Sequence, residues 1–194
     1  MFNGIIKNTG KIVNIDKSKK NYILSIKSNI KFNKNEIGSS ISCSGTCLTL
    51  ASTKGNNSKF YLSKETLNRT NFKKAKMKDI INLEKSLRFG SRVSGHFVQG
   101  HIDAACNVNK IAFLGKSWCI SIKLLSKYRK FVVEKGSIAI NGVSLTISNI
   151  LKNEFQVVVI PQTLKYTNLI KLKKNDMVNV EFDVLGKYIN NSLK

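Results

Sequence analysis

The chain repeats itself at an offset of about 97 residues, and this constrains its fold more than any other feature. Gly45-Thr46-Cys47-Leu48-Thr49 returns as Gly142-Val143-Ser144-Leu145-Thr146. Glu65-Thr66-Leu67-Asn68-Arg69-Thr70-Asn71 returns as Gln162-Thr163-Leu164-Lys165-Tyr166-Thr167-Asn168. Ile81-Asn82-Leu83-Glu84 returns as Val178-Asn179-Val180-Glu181, and Phe2-Asn3-Gly4-Ile5 is echoed by Val98-Gln99-Gly100-His101-Ile102. Four segments in one order and nearly one spacing mean a duplicated domain; the period is far too long for a solenoid unit. A chain of 194 residues then divides into two units of modest size, each able to bury a core. The copies differ at matching polar positions: Cys47 corresponds to Ser144. That asymmetry suggests one half kept for chemistry and the other for binding.

Short β-type runs dominate. Tyr22 to Ile26, Ile41 to Cys43, Leu48 to Leu50, Lys59 to Leu62, Val93 to Val98, Cys119 to Leu124, Ser137 to Ile140, Leu145 to Ile147 and Phe155 to Ile160 all read as strands. Turn residues fall between them, and Asn141-Gly142 is a hairpin signal because both residues accept positive φ. Regular short strands with frequent turns predict a closed barrel or a sandwich in each half. Helices are few: Leu125 to Val133, short turns at Thr66 to Phe72 and Thr163 to Leu169, and a terminal helix from Val184 with Leu185, Ile189 and Leu193 on one face. Asp183 would cap that helix, which at about ten residues must dock on something to persist. Pro161 is expected to end the strand before it, and Val93 to Gly95 to join the halves.

Composition excludes several classes. No apolar run reaches the ~18 residues of a membrane span, and no secretory signal is present, so a cytoplasmic location is the default expectation. Cys43, Cys47, Cys106 and Cys119 should then be reduced thiols; with only His96 and His101 beside them, they do not form a metal-ligand set. The net charge of +22 is almost all lysine, spread along the chain, with Arg69, Arg88, Arg92 and Arg129 the only arginines. Abundant Lys, Asn and Ile look like the drift of an A- and T-rich genome. Arginine, the bidentate reader of phosphate and guanine, is scarce, and the aromatics form no stacking row, so nucleic acid is not an expected partner.

Glycine followed two residues on by cysteine is weak alone, since such a cysteine is usually a small core residue. Set in the duplication, it becomes specific. Met1-Phe2-Asn3-Gly4-Ile5-Ile6, Gly95-His96-Phe97-Val98-Gln99-Gly100-His101-Ile102-Asp103 and Lys135-Gly136-Ser137-Ile138-Ala139-Ile140-Asn141-Gly142-Val143-Ser144-Leu145-Thr146 resemble riboflavin synthase of the alpha-chain type. The resemblance runs from Met1 to about Tyr188.

The resemblance implies an all-β protein: two tandem six-stranded antiparallel Greek-key β-barrels and a short C-terminal α-helix, divided as 1–94, 95–183 and 184–194. It implies a homotrimer acting on two molecules of 6,7-dimethyl-8-ribityllumazine. A four-carbon unit would pass from one to the other, giving riboflavin and 5-amino-6-ribitylamino-uracil without metal or cofactor. The productive site would lie between the first barrel of one subunit and the second barrel of its neighbour, with a functional link to lumazine synthase. Carried over residue by residue, the chemistry falls to Cys47, His101, Ser144, Thr146, Phe2, Ser40 and Asp183. His101 would carry protons, since histidine titrates near neutrality. Gly4, Ile5 and Ile6, then Cys47, Leu48 and Thr49, then Tyr61, Leu62, Ser63, Lys64, Glu65 and Thr66, with Gly100, His101 and Ile102, would line the first pocket. Lys135, Ser144, Leu145, Thr146, Val158, Val159, Ile160, Pro161, Gln162 and Thr163 would line the second. Departures from the family pattern are Thr46, Ser94 and the short tail, which bears on the trimer. Lumazine-binding antenna proteins share the two-barrel plan without catalysis. Retention of Cys47, His101, Ser144 and Thr146 favours the enzyme.

Overall fold

Alternation of apolar and polar residues builds two sheets that close on themselves. The structure, a computed structural model, describes residues 1–17 and 22–192. β1 (Asn8–Asp16), β2 (Tyr22–Ser28), β3 (Ser40–Cys43), β4 (Thr46–Lys54), β5 (Asn57–Leu62) and β6 (Ile80–Lys85) form an antiparallel barrel in the order β1-β2-β5-β4-β3-β6. β7 (Ala104–Leu114), β8 (Ser117–Lys123), β9 (Ser137–Ile140), β10 (Val143–Ile150), β11 (Glu154–Val159) and β12 (Met177–Phe182) form a second in the equivalent order β7-β8-β11-β10-β9-β12. In β5, Ser58, Phe60 and Leu62 point inward while Asn57, Lys59 and Tyr61 face out; in β11, Phe155, Val157 and Val159 do the same for the second core. Each large side chain so buried contributes roughly 1.5–3 kcal/mol.

The duplication extends to irregularities. The register slips between Ile12 and Asn14, between Leu50 and Ser52, between Val108 and Lys110, and between Ile147 and Asn149, the same places in both halves. Such bulges bend a strand and let a small barrel close. The β9–β10 hairpin turns through Asn141 (φ 47°) and Gly142 (φ 78°), as expected, and β3–β4 turns the same way through Ser44 and Gly45. These two turns meet where the barrels touch: a Cβ on Gly45 would lie 2.7 Å from the Gly142 nitrogen.

Around that contact the barrels are joined by buried amides. The Asn82 side chain donates to the Asn141 carbonyl (2.9 Å) and the Asn168 Oδ1 (3.0 Å), and its Oδ1 accepts from the Asn168 N–H (2.7 Å). Its repeat counterpart Asn179 donates to the Ser44 carbonyl (2.9 Å) and accepts from the Asn71 N–H (2.7 Å). Both asparagines are fully buried. Part of the asparagine content thus has an interface role that genome drift does not explain.

Some elements differ from expectation. Val93 to Val98 is not a strand; Val98 makes only an isolated bridge to Phe2. The reason is local: Asn3 Oδ1 accepts the N–H groups of Ser94 (2.9 Å) and Gly95 (2.8 Å), which are therefore not free for a ladder. Leu125 to Val133 contains a 3₁₀ stretch at Ser126–Phe131 rather than an α-helix. The short helices begin earlier than expected, as α1 (Lys64–Arg69) and α2 (Pro161–Tyr166), and extended Thr70 and Thr167 separate each from a 3₁₀ turn. β11 stops at Val159, and Pro161 opens α2, where its missing N–H costs nothing. α3 (Val184–Ser192) starts after Asp183, whose Oδ1 accepts the Leu185 N–H (3.0 Å). It docks through polar contacts, Asn190 to the Lys130 carbonyl (2.8 Å) and Lys187 to Asp103 (2.7 Å), leaving Leu185, Tyr188 and Ile189 exposed. Leu193 lies outside the described residues.

Candidate functional site

Each half begins with a short leader before its first strand, and each leader crosses to the other barrel. The Gly4 carbonyl accepts the N–H of Ser144 (2.8 Å), and the Gly100 carbonyl accepts the N–H of Cys47 (2.8 Å). Both glycines have positive φ, +71° and +86°, and a Cβ would stand 2.6 Å from the Ser144 Cβ and 2.5 Å from the Cys47 Cβ respectively. Only glycine allows this approach. Phe2 and Val98 pair across the centre as an antiparallel bridge and are fully buried beside Ala139 and Cys47.

The crossing creates two equivalent cavities. The first, about 460 Å³, lies among Cys47, Ser63, Thr66, Gly100, His101 and Ile102, with Glu65, Arg69, Asp103 and Lys187 adding charge. The second, about 450 Å³, lies among Gly4, Ile5, Ile6, Ser144, Gln162 and Thr163, with Lys7 and Tyr166 at its edge. Each is large enough for one small heterocyclic ligand. Ser63 caps α1, its Oγ accepting the Thr66 N–H (2.9 Å), and so fixes the hydroxyl-bearing turn at the first cavity.

Several expected positions are brought together, but one set changes place. Gly4, Ile5 and Ile6 belong to the second cavity, not the first, because their leader is drawn across to Ser144. Leu48, Leu62 and Val159 do not line either cavity: strand alternation turns them into the barrel cores. Leu145 packs partly buried against the second core. Thr49 and Tyr61 lie exposed on the outer face that also carries Cys47, and Thr146 and Val158 repeat this beside Ser144. Ser40 pairs with Thr49 across β3 and β4. Lys64, Lys135, Ile160 and Pro161 are exposed.

A residue outside the expected set, His96, is joined to Ser144. His96 Nδ1 and Ser144 Oγ are hydrogen-bonded at 2.7 Å. Burial holds the His96 imidazole below its ordinary pKa, with nearby Asp183 opposing, so it is neutral at neutral pH and able to accept a proton. The sequence places His96 beside Gly95, a position whose added Cβ would be 2.9 Å from Ser144, but nothing in the repeat signals that approach. His101 is exposed within the first cavity. Cys47 is partly buried, whereas Cys43 and Cys106 are buried and their thiols pushed up by desolvation, that of Cys106 to about 11. Among the described residues, no group of three or more His, Cys, Asp or Glu is placed to hold a metal ion, and no helix is long and apolar enough to cross a membrane.

This doubled arrangement matches a known family: the model of the Lumazine binding domain fits residues 3–86 and again 99–183. The chain belongs to that lumazine-binding family. Among its curated relatives, riboflavin synthase of Actinobacillus pleuropneumoniae is 36% identical, over 97% of this chain and 88% of the relative. Riboflavin synthase of Escherichia coli (strain K12) is 35% identical, over 94% and 87%. Among solved structures, LumP complexed with riboflavin superposes with a TM-score of 0.83 at 26% identity, covering 94% of this chain and 99% of that one. LumP complexed with 6,7-dimethyl-8-(1′-D-ribityl) lumazine gives 0.80 at 26%, covering 93% and 98%.

Proposed function

We propose that the chain is a riboflavin synthase, taking two molecules of 6,7-dimethyl-8-ribityllumazine and moving a four-carbon unit from one to the other. The products are riboflavin and 5-amino-6-ribitylamino-uracil. The observation that carries the reading is the pair of near-equal cavities with unequal polar groups, Cys47 at one and Ser144 with His96 at the other. Identical substrates must act in opposite roles, and a duplicated fold with diverged pockets supplies that. Holding two rings in reacting contact can lower the barrier by roughly 7–11 kcal/mol.

The methyl group of the lumazine is acidic, so the first need is a base. The neutral His96 imidazole, through or beside the Ser144 hydroxyl, takes that proton. Cys47 and His101 serve the partner ring in the first cavity, with hydroxyls of Thr66 and Thr163 for the ribityl chains. Residues 1–94 and 95–183 would be the two repeat units, each lending its leader to the cavity of the other, and 184–194 the terminal segment. Three chains would assemble so that a first cavity faces a neighbour's second; exposed Tyr61, Val158 and Leu185 support such a face. Since another enzyme must make the lumazine, a functional link with lumazine synthase follows. The protein would act in the cytoplasm.

The likeness to LumP favours a second reading, a ligand carrier without catalysis. Incubating pure protein with the lumazine and separating products by chromatography decides between them. The enzyme yields riboflavin and the uracil in equal amounts; ligand binding with neither product leaves the carrier.

A further inference from the structure

We propose that Glu84 and Glu181 are crossed positioning residues, each holding the leader of its own half against the cavity of the other half. Glu84 ends the first barrel on β6. Its carboxylate accepts the N–H groups of Asn3 (2.8 Å) and Gly4 (3.0 Å), one on each oxygen. Glu181, its repeat counterpart on β12, accepts those of Gln99 (2.6 Å) and Gly100 (2.8 Å) in the same way. Each glycine therefore has its N–H tied to one barrel and its C=O tied to the other, through Ser144 for Gly4 and Cys47 for Gly100. The leader is a strap fastened at both ends, and its next residues form a cavity wall.

The arrangement is costly, which argues that it serves more than chain closure. Glu181 is only 2% exposed, and a carboxylate removed from water needs strong compensation. Two short charged hydrogen bonds provide part of it. The charges facing Glu181 are Asp103 and Lys187, which pair with each other at 2.7 Å, so no cation is dedicated to it. Glu84 faces the N-terminal ammonium group. A turn made only of backbone hydrogen bonds would close the chain without burying either charge. What the carboxylates add is a fixed height for Gly4 above Ser144 and for Gly100 above Cys47.

The consequence is that a change in one barrel is read in the other's cavity. Thiol reactivity toward 5,5′-dithiobis(2-nitrobenzoate) at pH 8, where the Glu181 carboxylate is ionised, measures this without any substrate. In a Cys119→Ser background, Cys47 is the one thiol not fully buried among the described residues. A second reporter, Ser144→Cys with Cys47→Ser and Cys119→Ser, reads the other cavity. Glu181→Gln is expected to speed labelling at Cys47 by about tenfold or more, the effect of losing one charged hydrogen bond, and to leave the Ser144→Cys thiol unchanged. Glu84→Gln is expected to do the converse. Should a Gln variant not fold, Glu84→Asp and Glu181→Asp shorten the arm and give the same crossed pattern more weakly. Labelling that changes only in the substituted barrel, in both cavities alike, or in neither overturns the proposal. The inference deepens the lumazine reading of these cavities but is tested apart from it. Crossed labelling in a chain that makes no riboflavin would remove the activity and keep the positioning; uncrossed labelling in an active chain would do the reverse.

Discussion

Replacing Gly100 by alanine tests the close approach that builds the first cavity. Gly100 has φ +86°, and an added Cβ would stand 2.5 Å from the Cys47 Cβ and 2.8 Å from its backbone nitrogen. The backbone conformation costs an L-residue about 1–2 kcal/mol. Relief of the clash must come from moving a strand, because a backbone atom is involved, and overpacking of this kind costs about 1–3 kcal/mol. Stiffening the unfolded chain returns about 0.4–1 kcal/mol. The net is a loss of about 3 kcal/mol. Gly38 supplies the control: its φ is +93°, yet nothing lies within 4 Å of an added Cβ. Gly38→Ala carries the conformational cost alone and should lose about 1 kcal/mol or less. Urea unfolding followed by circular dichroism measures both. Equal losses in the two variants would refute the claim that the leader is pressed against Cys47, as would a Gly100→Ala chain with unchanged labelling of that thiol.

Further outcomes follow from the same geometry. His96→Gln should lower turnover about 100-fold or more, as loss of a general base does, and remove the fall in rate that protonation of His96 causes on the acid side; an unchanged pH–rate profile would exclude that role. Asn82→Ala leaves the Asn168 N–H and the Asn141 carbonyl without their partner in a buried interface and should cost about 2–4 kcal/mol in urea unfolding, whereas Asn149→Ala, on an exposed position, should cost almost nothing. Burial pushes Glu181 up to about 7, against the hydrogen bonds from Gln99 and Gly100, so the folded state holds its proton more tightly than the unfolded one. Its contribution to stability is therefore present at low pH and lost as pH rises toward 7, by at most about 1.4 kcal/mol per pH unit. The stability difference between the wild type and Glu181→Gln should show that slope; a flat difference would contradict it. Mixing an inactive Cys47 variant with an inactive Ser144 variant should restore part of the activity if cavities from two chains meet, and no recovery despite subunit exchange would place the reaction within one chain.

The repeat was legible because matching residues recur at matching spacing, and Asn141-Gly142 announced its turn through conformational preference alone. The correspondence of Cys47 and Ser144 also held in space: both stand beneath a leader glycine at equivalent cavities. What the residue string could not reveal is which barrel a leader joins. Gly4-Ile5-Ile6 precedes the first barrel in sequence and is held to it through Glu84, yet it lines the second cavity, since a repeat pattern is the same whether segments stay or exchange. Val93 to Val98 has strand-like apolar spacing, but the Asn3 side chain takes the N–H groups a ladder would need. β1, β6, β7 and β12 are not among the expected strands, although Ile81 to Glu84 and Val178 to Glu181 are plain as a repeat, because small and polar residues such as Gly10, Asn82, Ala104, Ala105 and Asn179 interrupt their apolar pattern. His96 was hidden for a related reason: its partner Ser144 is 48 residues away, and only the folded leader brings them to 2.7 Å.

Two homologous cavities in each chain make two ligand sites the expectation. Calorimetric titration of the purified protein with riboflavin, the ligand seen in the LumP structure, tests it directly. Two molecules bound per chain, with unequal affinities and with one site weakened by Gly100→Ala, is the predicted result. A single site per chain, untouched by substitution at either leader glycine, would contradict it.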